Sequence, residues 1–366
     1  MAKLVIDEMN DLLSFFGGKK ISSLEEWKNI PLKRKSDLVD LVPKKFLELR
    51  ITSGSTGEPL YIFYSKDAID AFLRRTIKSI RLSGVTNDDV VLNLFAYGNY
   101  VPGSMYERAC LSEGIAVLPL GAPNTYPKEK IIDVVKRVKP TVWFSVPSYA
   151  LAQLNILASI DKKLLPRIVV VAGERLLDSY IENFNNLGIK LVNNFGLTEC
   201  PAIGVSINDQ KLIKVIPDGI FVEMVNVDGN NELVITDLNN KATPIIRYNT
   251  RDLLIRVKEE KNGSLQEFEV KGRNDDLIKL QGLLVSKNKI IEVISKYTND
   301  FYVNIIIKEG RDYLQINLLK SIKPMEKEII FDITKVYGKV ELVFLEEINP
   351  SKTSSHKVIL VQDLRK

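Results

Sequence analysis

The residues best suited to chemistry are Thr52, Ser53, Gly54, Ser55, Thr56 and Gly57, followed by Glu58, Pro59 and Leu60. Glycines let successive backbone N–H groups converge on an anion, and the hydroxyls add donors, so this loop can wrap phosphates. The same composition also suits an ordinary hairpin loop between Ile51 and the strand-like Leu60 to Tyr64. It is not a Walker loop, because no Gly-Lys-Ser/Thr follows at the required spacing. Further on, Asn194, Phe195, Gly196, Leu197, Thr198 and Glu199 bring an aromatic ring, a hinge glycine, a hydroxyl and a carboxylate to the end of a strand. Ligands of open α/β sheets bind at such ends. A solvated glutamate after a glycine turn would look the same. Asp252, flanked by Arg247 and Arg251, reads by itself as an ion-pair partner. His356 is the single histidine, which excludes a Ser-His-Asp triad and a two-histidine metal site.

The elements that must position these groups alternate between strand-like and helix-like segments. Val90 to Phe95, Ile115 to Leu120, Ile131 to Val138 and Thr141 to Val146 have the rhythm of a parallel α/β sheet. The clearest crossover is the apolar run Ile168 to Ala172, the helical period of Leu176 to Leu187 and the strand Ile189 to Val192. Ile245 to Tyr248 is strand-like ahead of Asp252. Near residue 272 the character changes. Helices are expected at Lys287 to Lys296 and Pro324 to Val336, with Pro324 at a first-turn position, and strands at Phe301 to Ile307, Leu314 to Leu318 and Val340 to Phe344. In Tyr313 to Leu318 apolar and polar residues alternate, so one face should pack and the other stay wet. The expected class is α/β: a large N-terminal domain over 1–271 with mixed or parallel sheets and flanking helices, and a small α+β domain over 276–366.

A chain of 366 residues with 45% apolar and 27% charged residues fits an ordinary globular protein with a substantial core. Fifty-one basic against forty-six acidic residues suggest no nucleic-acid partner but are compatible with anionic small molecules. Cys110 and Cys200 alone cannot build a disulfide framework or a four-thiolate zinc site, so a reducing, cytoplasmic setting is expected. No segment has the apolar length of a membrane span.

Thr52 to Pro59 resembles the phosphate loop of the adenylate-forming superfamily of acyl-CoA synthetases, luciferases and peptide-synthetase adenylation domains. Four further segments match in the same order: Ala172-Gly173-Glu174, Asn194 to Glu199, Arg247 to Asp252 and Gly272 to Lys279. The phenylacetate-coenzyme A ligase branch is the most similar, through Ile21 to Glu25, Ile30 to Leu32, Tyr97 to Tyr100, Val146 to Leu151 and Pro244 to Tyr248. Coverage runs from about residue 20 to the end. By this resemblance the chain begins later than typical members, so a segment that helps wall the acyl pocket or supports dimerisation is expected to be missing or replaced.

The resemblance implies activation of a carboxylic acid by ATP and Mg2+ as an acyl-AMP, then transfer to coenzyme A. Phe195, where most relatives have Tyr, would stack on adenine, and Gly173, Glu174, Asn194 and Gly196 would line its site. Thr198 would contact the α-phosphate, Glu199 would hold the metal and Asp252 would accept the ribose hydroxyls. Arg273 would reach the nucleotide, and Asp275, in an interdomain hinge at 272–275, would absorb the rotation of the small domain. Lys357 matches the C-terminal catalytic lysine, although His356 replaces the usual preceding glycine and Lys352 is a fallback. The loop has Glu58-Pro59-Leu60 where many members carry a lysine. Tyr97, Tyr100, Pro147 and Tyr149 would surround an aryl or arylacetic acid, and core packing accounts equally well for any one of them. A non-CoA acceptor and a catalytically silent nucleotide-binding protein are the competing readings. A homodimer is left open.

Overall fold

A computed structural model describes residues 2–39, 41–52, 59–122, 126–127, 130–260, 262–274, 277–280, 283–308, 310–350 and 360–365. They fall into two compact units, Met1–Leu176 with Asn183–Lys271, and Leu177–Glu182 with Gly272–Lys366.

The chain opens with helices α1 (Ala2–Phe15) and α2 (Leu24–Lys28). A hairpin of β1 (Glu48–Ile51) and β2 (Tyr61–Tyr64) leads into α3 (Lys66–Leu82). The alternating portion follows: β3 (Val90–Asn93), α4 (Val101–Ser112), β4 (Ala116–Pro119), α5 (Ile131–Val138), β5 (Val142–Ser145), α6 (Pro147–Ile160), β6 (Ile168–Val171), α7 (Asp178–Asn186) and β7 (Lys190–Phe195). After it come β8 (Gly204–Ser206), β9 (Leu212–Val215), β10 (Ile220–Val227), β11 (Asn230–Asp237), β12 (Tyr248–Glu259) and β13 (Leu265–Arg273).

These strands form one sheet in the order β10-β11-β12-β13-β9-β8-β7-β6-β5-β3-β4. The half from β7 to β4 is parallel, as its alternating sequence predicts, and in the other half β7–β8, β8–β9, β9–β13, β10–β11 and β11–β12 pair antiparallel. All four residues of β5 and of β6 are buried, which is why each reads as an unbroken apolar run. The strand expected over Ile245 to Tyr248 begins only at Tyr248. Pro244 precedes this stretch and Arg247 adopts φ +46°, so its backbone cannot join a ladder until the next residue.

Ser65 caps α3, its hydroxyl accepting from Ala68 N at 3.3 Å. The buried stripe of α3 contains Ala68, Ile69, Phe72, Arg75, Thr76, Ser79 and Ile80. Its upper part packs with Leu60, Ile62 and Tyr64 of the hairpin and with Ile203 and Phe268; Ile80 joins Val91, Phe144 and Val170 of the parallel half.

The second unit contains β14 (Leu277–Leu280), β15 (Leu283–Ser286), α8 (Lys287–Ile294), β16 (Phe301–Lys308), β17 (Arg311–Leu319), α9 (Glu326–Thr334), β18 (Val340–Leu345) and β19 (Val361–Asp363). Its larger sheet has the order β18-β17-β16-β19. Leu314, Ile316 and Leu318 are fully buried with Ile290 and Ile294 of α8 and Ile329 and Ile333 of α9. The other face is drier than the alternation implies, since Asn317 is buried and donates to the carbonyls of Tyr302 and Gln315. Pro324 lies in a 3-10 turn that precedes α9, where its missing N–H breaks no α-helical bond. Among the described residues no helix is long and apolar enough to cross a membrane.

Candidate active site

The hairpin presents the phosphate-loop candidate at its tip. Thr52 N donates to the carbonyl of Leu60 at 2.9 Å, and Leu60 N donates to Thr52 Oγ1 at 2.9 Å, which closes the neck of the loop. Ser53, Gly54, Ser55, Thr56 and Gly57 lie outside the described residues. The entering strand is tied to the turn at Tyr97 to Tyr100: Ile51 N donates to Asn99 Oδ1 at 2.7 Å, and Asn99 Nδ2 donates back to the Ile51 carbonyl. Buried Arg50 donates to the carbonyls of Gly98 and Tyr100 and, at 2.9 Å, to Ser104 Oγ.

Two of the four acyl-site candidates therefore sit on one turn beside the loop entrance. Tyr97 is half-buried, its hydroxyl accepts from Asn93 Nδ2 at 2.9 Å, and burial with the nearby Glu107 carboxylate raises its pKa. The other two, Pro147 and Tyr149, open α6, with Pro147 buried in the first turn. The Gly173 turn follows β6 with φ +84°, a conformation that favours glycine. Next to it, Glu174 accepts from Ser148 N at 3.2 Å, fastening this turn to the start of α6.

The loop after β7 is folded back on itself. Ile203 N donates to the Phe195 carbonyl at 2.9 Å and Leu197 N to the Cys200 carbonyl at 3.0 Å. A Cβ at Gly196 would stand 2.6 Å from Ala202 N, so only glycine fits, and Ala202 itself has φ +53°. Asn194 is buried, with its amide taken by Ser79 Oγ at 2.9 Å and by the Tyr106 hydroxyl, so it braces the strand from within. Half-buried Phe195 meets Phe268 edge-on at 5.3 Å.

Four consecutive residues of this loop are gripped by side chains remote in sequence. The Tyr64 hydroxyl donates to the Thr198 carbonyl. The Tyr248 hydroxyl donates to Glu199 Oε1 at 2.8 Å. Arg75, fully buried on α3, donates through Nη2 to Cys200 Sγ at 3.9 Å and to the Pro201 carbonyl at 3.0 Å, and through Nη1 to the Asp218 carbonyl at 2.7 Å. Burial and the adjacent Glu199 charge hold the Tyr64 hydroxyl far above its ordinary pKa, so it stays protonated and able to donate. Among the described residues Glu199 forms no ion pair with a cation.

Asp252 is 5% exposed and reaches its place through a bulge: a step from Val234 to Glu232 on β11 spans the longer step from Asn249 to Leu253 on β12. Arg251 lies inside the bulge at φ +64°. Of the two arginines that sequence alone offers as ion-pair partners of Asp252, Arg247 and Arg251, the first is engaged elsewhere. Arg247 instead pairs with buried Glu223 at 3.3 Å and donates to the carbonyls of Lys28 and Ile30, while Glu223 also accepts from Trp27 Nε1 at 3.1 Å.

Arg273 ends β13 with an exposed side chain, in the second unit. Asp275, Lys352, His356 and Lys357 lie outside the described residues. Three residues escaped the sequence reading: Tyr64, Tyr248 as a side-chain partner, and Arg75. The last left a signal, because an arginine on the helix face of Ala68, Ala71 and Phe72 must be buried with acceptors of its own.

The family model for AMP-binding enzymes matches residues 17–234, and the chain belongs to that family. It is 26% identical over 302 residues to a phenylacetate-coenzyme A ligase of Pseudomonas putida, covering 75% of this chain and 67% of that one. To a phenylacetate-coenzyme A ligase of Aromatoleum evansii it is 27% identical over 301 residues, with the same shares covered. Among solved structures, a 2-hydroxyisobutyryl-CoA ligase in the postadenylation state, in complex with R3-HIB-AMP, superposes with TM-score 0.80 at 16% identity, over 99% of this chain and 89% of that one. An anthranilate CoA ligase in complex with anthranoyl-AMP gives 0.60 at 17% identity, over 85% and 65%.

Proposed function

We propose that the chain is an AMP-forming acid–thiol ligase. A carboxylate oxygen of the substrate attacks the α-phosphorus of ATP and pyrophosphate leaves. The thiol sulfur of coenzyme A then attacks the acyl carbon of the mixed anhydride, its proton passes to solvent, and AMP leaves. The observation that carries this reading is the junction of two carboxylate-bearing segments at the sheet: Tyr248, four residues before Asp252 on β12, bonds Glu199 in the loop after β7. One segment thus offers a carboxylate to a ribose while the other keeps its negative charge for a metal–phosphate group. Membership of the AMP-binding family and the phenylacetate-coenzyme A ligase relatives support the acid and the acceptor.

In this reading Thr52 and Ser53 to Gly57 cradle the phosphates, Gly173, Glu174, Asn194, Phe195 and Gly196 bound the adenine site, and Thr198 meets the α-phosphate. The residues fit Mg2+: among the described residues no group of three His, Cys, Asp or Glu could cage a metal, whereas Glu199 offers one hard carboxylate to a cation that is otherwise held by phosphates and water. Bound there, Mg2+ would neutralise phosphate charge. Arg273 and Lys357 would add charge at the nucleotide, Asp275 would be the hinge between 1–271 and 276–366, and Tyr97, Tyr100, Pro147 and Tyr149 would shape a site for an aryl or arylacetic acid. A cytoplasmic setting belongs to the same reading, and sedimentation velocity decides between monomer and homodimer.

The deciding experiment screens carboxylic acids for pyrophosphate release with and without coenzyme A. An acid that gives both pyrophosphate and its CoA thioester is the expected result. Adenylate formation without CoA consumption for any acid moves the acceptor elsewhere, and ATP binding without pyrophosphate release leaves only a nucleotide-binding role. Lys357→Ala is expected to slow acyl-AMP formation by about 10²–10³-fold, since its charge would sit on the pentacovalent phosphorus, while thiolysis of supplied acyl-AMP persists. Adenylation at the wild-type rate would remove Lys357 from the site.

A further inference from the structure

Glu199 is a half-buried loop carboxylate whose neighbours on both sides are immobilised. The Thr198 carbonyl is held by Tyr64, and the Cys200 sulfur and Pro201 carbonyl are held by Arg75. Both anchors are fully buried, so the backbone on which Glu199 stands is set from the interior by β2 and α3. Its side chain would still swing about three torsions if backbone restraint were all it had. Tyr248 removes that freedom. Its ring is 5% exposed, wedged in the same core as Tyr64 and Phe72, and its hydroxyl reaches Oε1 at 2.8 Å.

We propose that Tyr248 is the positioning residue of Glu199: it takes Oε1 as a hydrogen-bond acceptor and turns Oε2 outward as the single oxygen offered to the metal of a metal–nucleotide complex. The inference rests on Glu199 being the metal-binding carboxylate of the proposed function. One-oxygen ligation suits Mg2+ and Mn2+, which take octahedral sets of single oxygens, better than Ca2+, which accepts both oxygens of a carboxylate. A phenol is suited to this task because it donates without adding charge, so the carboxylate keeps its attraction for a cation. An arginine or lysine at the same place would compete with the metal instead. Because Tyr248 shares β12 with Asp252, the same strand would set the ribose-binding carboxylate and the orientation of the metal ligand together.

The test measures metal affinity directly. Mn2+ is titrated by electron paramagnetic resonance into full-length protein saturated with α,β-methylene-ATP, using wild type, Tyr248→Phe, Glu199→Gln and the double variant. Tyr248→Phe keeps the buried ring and should weaken Mn2+ binding by about tenfold, the loss typical of removing a group that orients a ligand. Affinity for AMP without metal should be unchanged. Glu199→Gln should weaken Mn2+ further, and the double variant should be no worse than Glu199→Gln alone, because Tyr248 acts only through the carboxylate. If Glu199→Gln leaves Mn2+ affinity intact, Glu199 is not the metal ligand and the underlying reading fails. If Glu199→Gln loses the metal but Tyr248→Phe does not, or if the two losses multiply, the positioning role is overturned while the ligand assignment stands. Should Tyr248→Phe lower the melting temperature, the binding stoichiometry counts the folded fraction and the comparison of affinities still decides.

Discussion

The two ends of the parallel strands use polar groups in opposite ways. At their N-terminal ends, just before β3, β5 and β6, lie Asp89, Thr141 and Arg167, and these groups satisfy one another. Arg167 donates to both Asp89 oxygens, Thr141 Oγ1 donates to Asp89 Oδ1 at 2.7 Å, and Thr86 N donates to Oδ2 at 2.8 Å. At the C-terminal ends the groups are placed by side chains that come from elsewhere: Ser79 and Tyr106 on Asn194, Tyr64 on Thr198, Tyr248 on Glu199. The first cluster closes the sheet and cancels its own charge. The second leaves a carboxylate, Glu199, whose hydrogen-bond partner is the neutral Tyr248 hydroxyl. Incompletely neutralised charge lies where ligands of such sheets bind, and the self-satisfied ion pair lies at the opposite end.

Substitutions should split along the same line. Of the substitutions at these two strand ends, Glu199→Gln is expected to have the largest effect, slowing acid-dependent pyrophosphate release by about 10²-fold and raising the Mg2+ requirement, with the melting temperature unmoved. Unchanged Mg2+ dependence would put the metal elsewhere. Gly196→Ala must push against the Ala202 backbone, and a loop displaced by a fraction of an ångström should cost about tenfold or more in the same assay. A rate equal to wild type would show that the loop needs no such close approach.

At the other end, Asp89→Asn should leave the rate alone and lower stability. Burial opposes the Asp89 charge, but the bonds from Arg167, Thr86 and Thr141 outweigh it and bring the pKa down to about 2. A depressed carboxylate stabilises the fold above its unfolded pKa, and this contribution is lost as the pH falls from about 4 through about 2. With Arg167 about half exposed, the effect at neutral pH is roughly 1–2 kcal/mol. Urea titrations of Asp89→Asn and wild type should therefore converge on acidification, and a constant gap down to the lowest pH would contradict the assignment.

The α/β class was legible because β5 and β6 are four-residue apolar runs buried on both faces, and α7 and α8 carry a helical period between strand-like segments. The antiparallel half was not read. Its long strands β10, β11 and β12 mix buried polar residues such as Glu223, Glu232 and Asn249 with apolar ones, which blurs the period of two. The candidate segments were also visible as local motifs, since glycine, hydroxyl and carboxylate in a short span leave a local trace.

What no local pattern carries is which side chains hold those motifs. Arg247 stood with Arg251 as a candidate partner of Asp252, yet it pairs with Glu223, 24 positions earlier. Tyr64, Arg75 and Tyr248 converge on residues 198–201 from separations of 134, 126 and 49 positions. The sequence determined by itself that these elements form and which motifs they end in, because helix and strand periods and turn residues act over a few neighbours. Only the tertiary structure decided that a buried guanidinium and two buried phenols would grip one loop, because a hydrogen bond between remote residues depends on how the sheet and α3 pack.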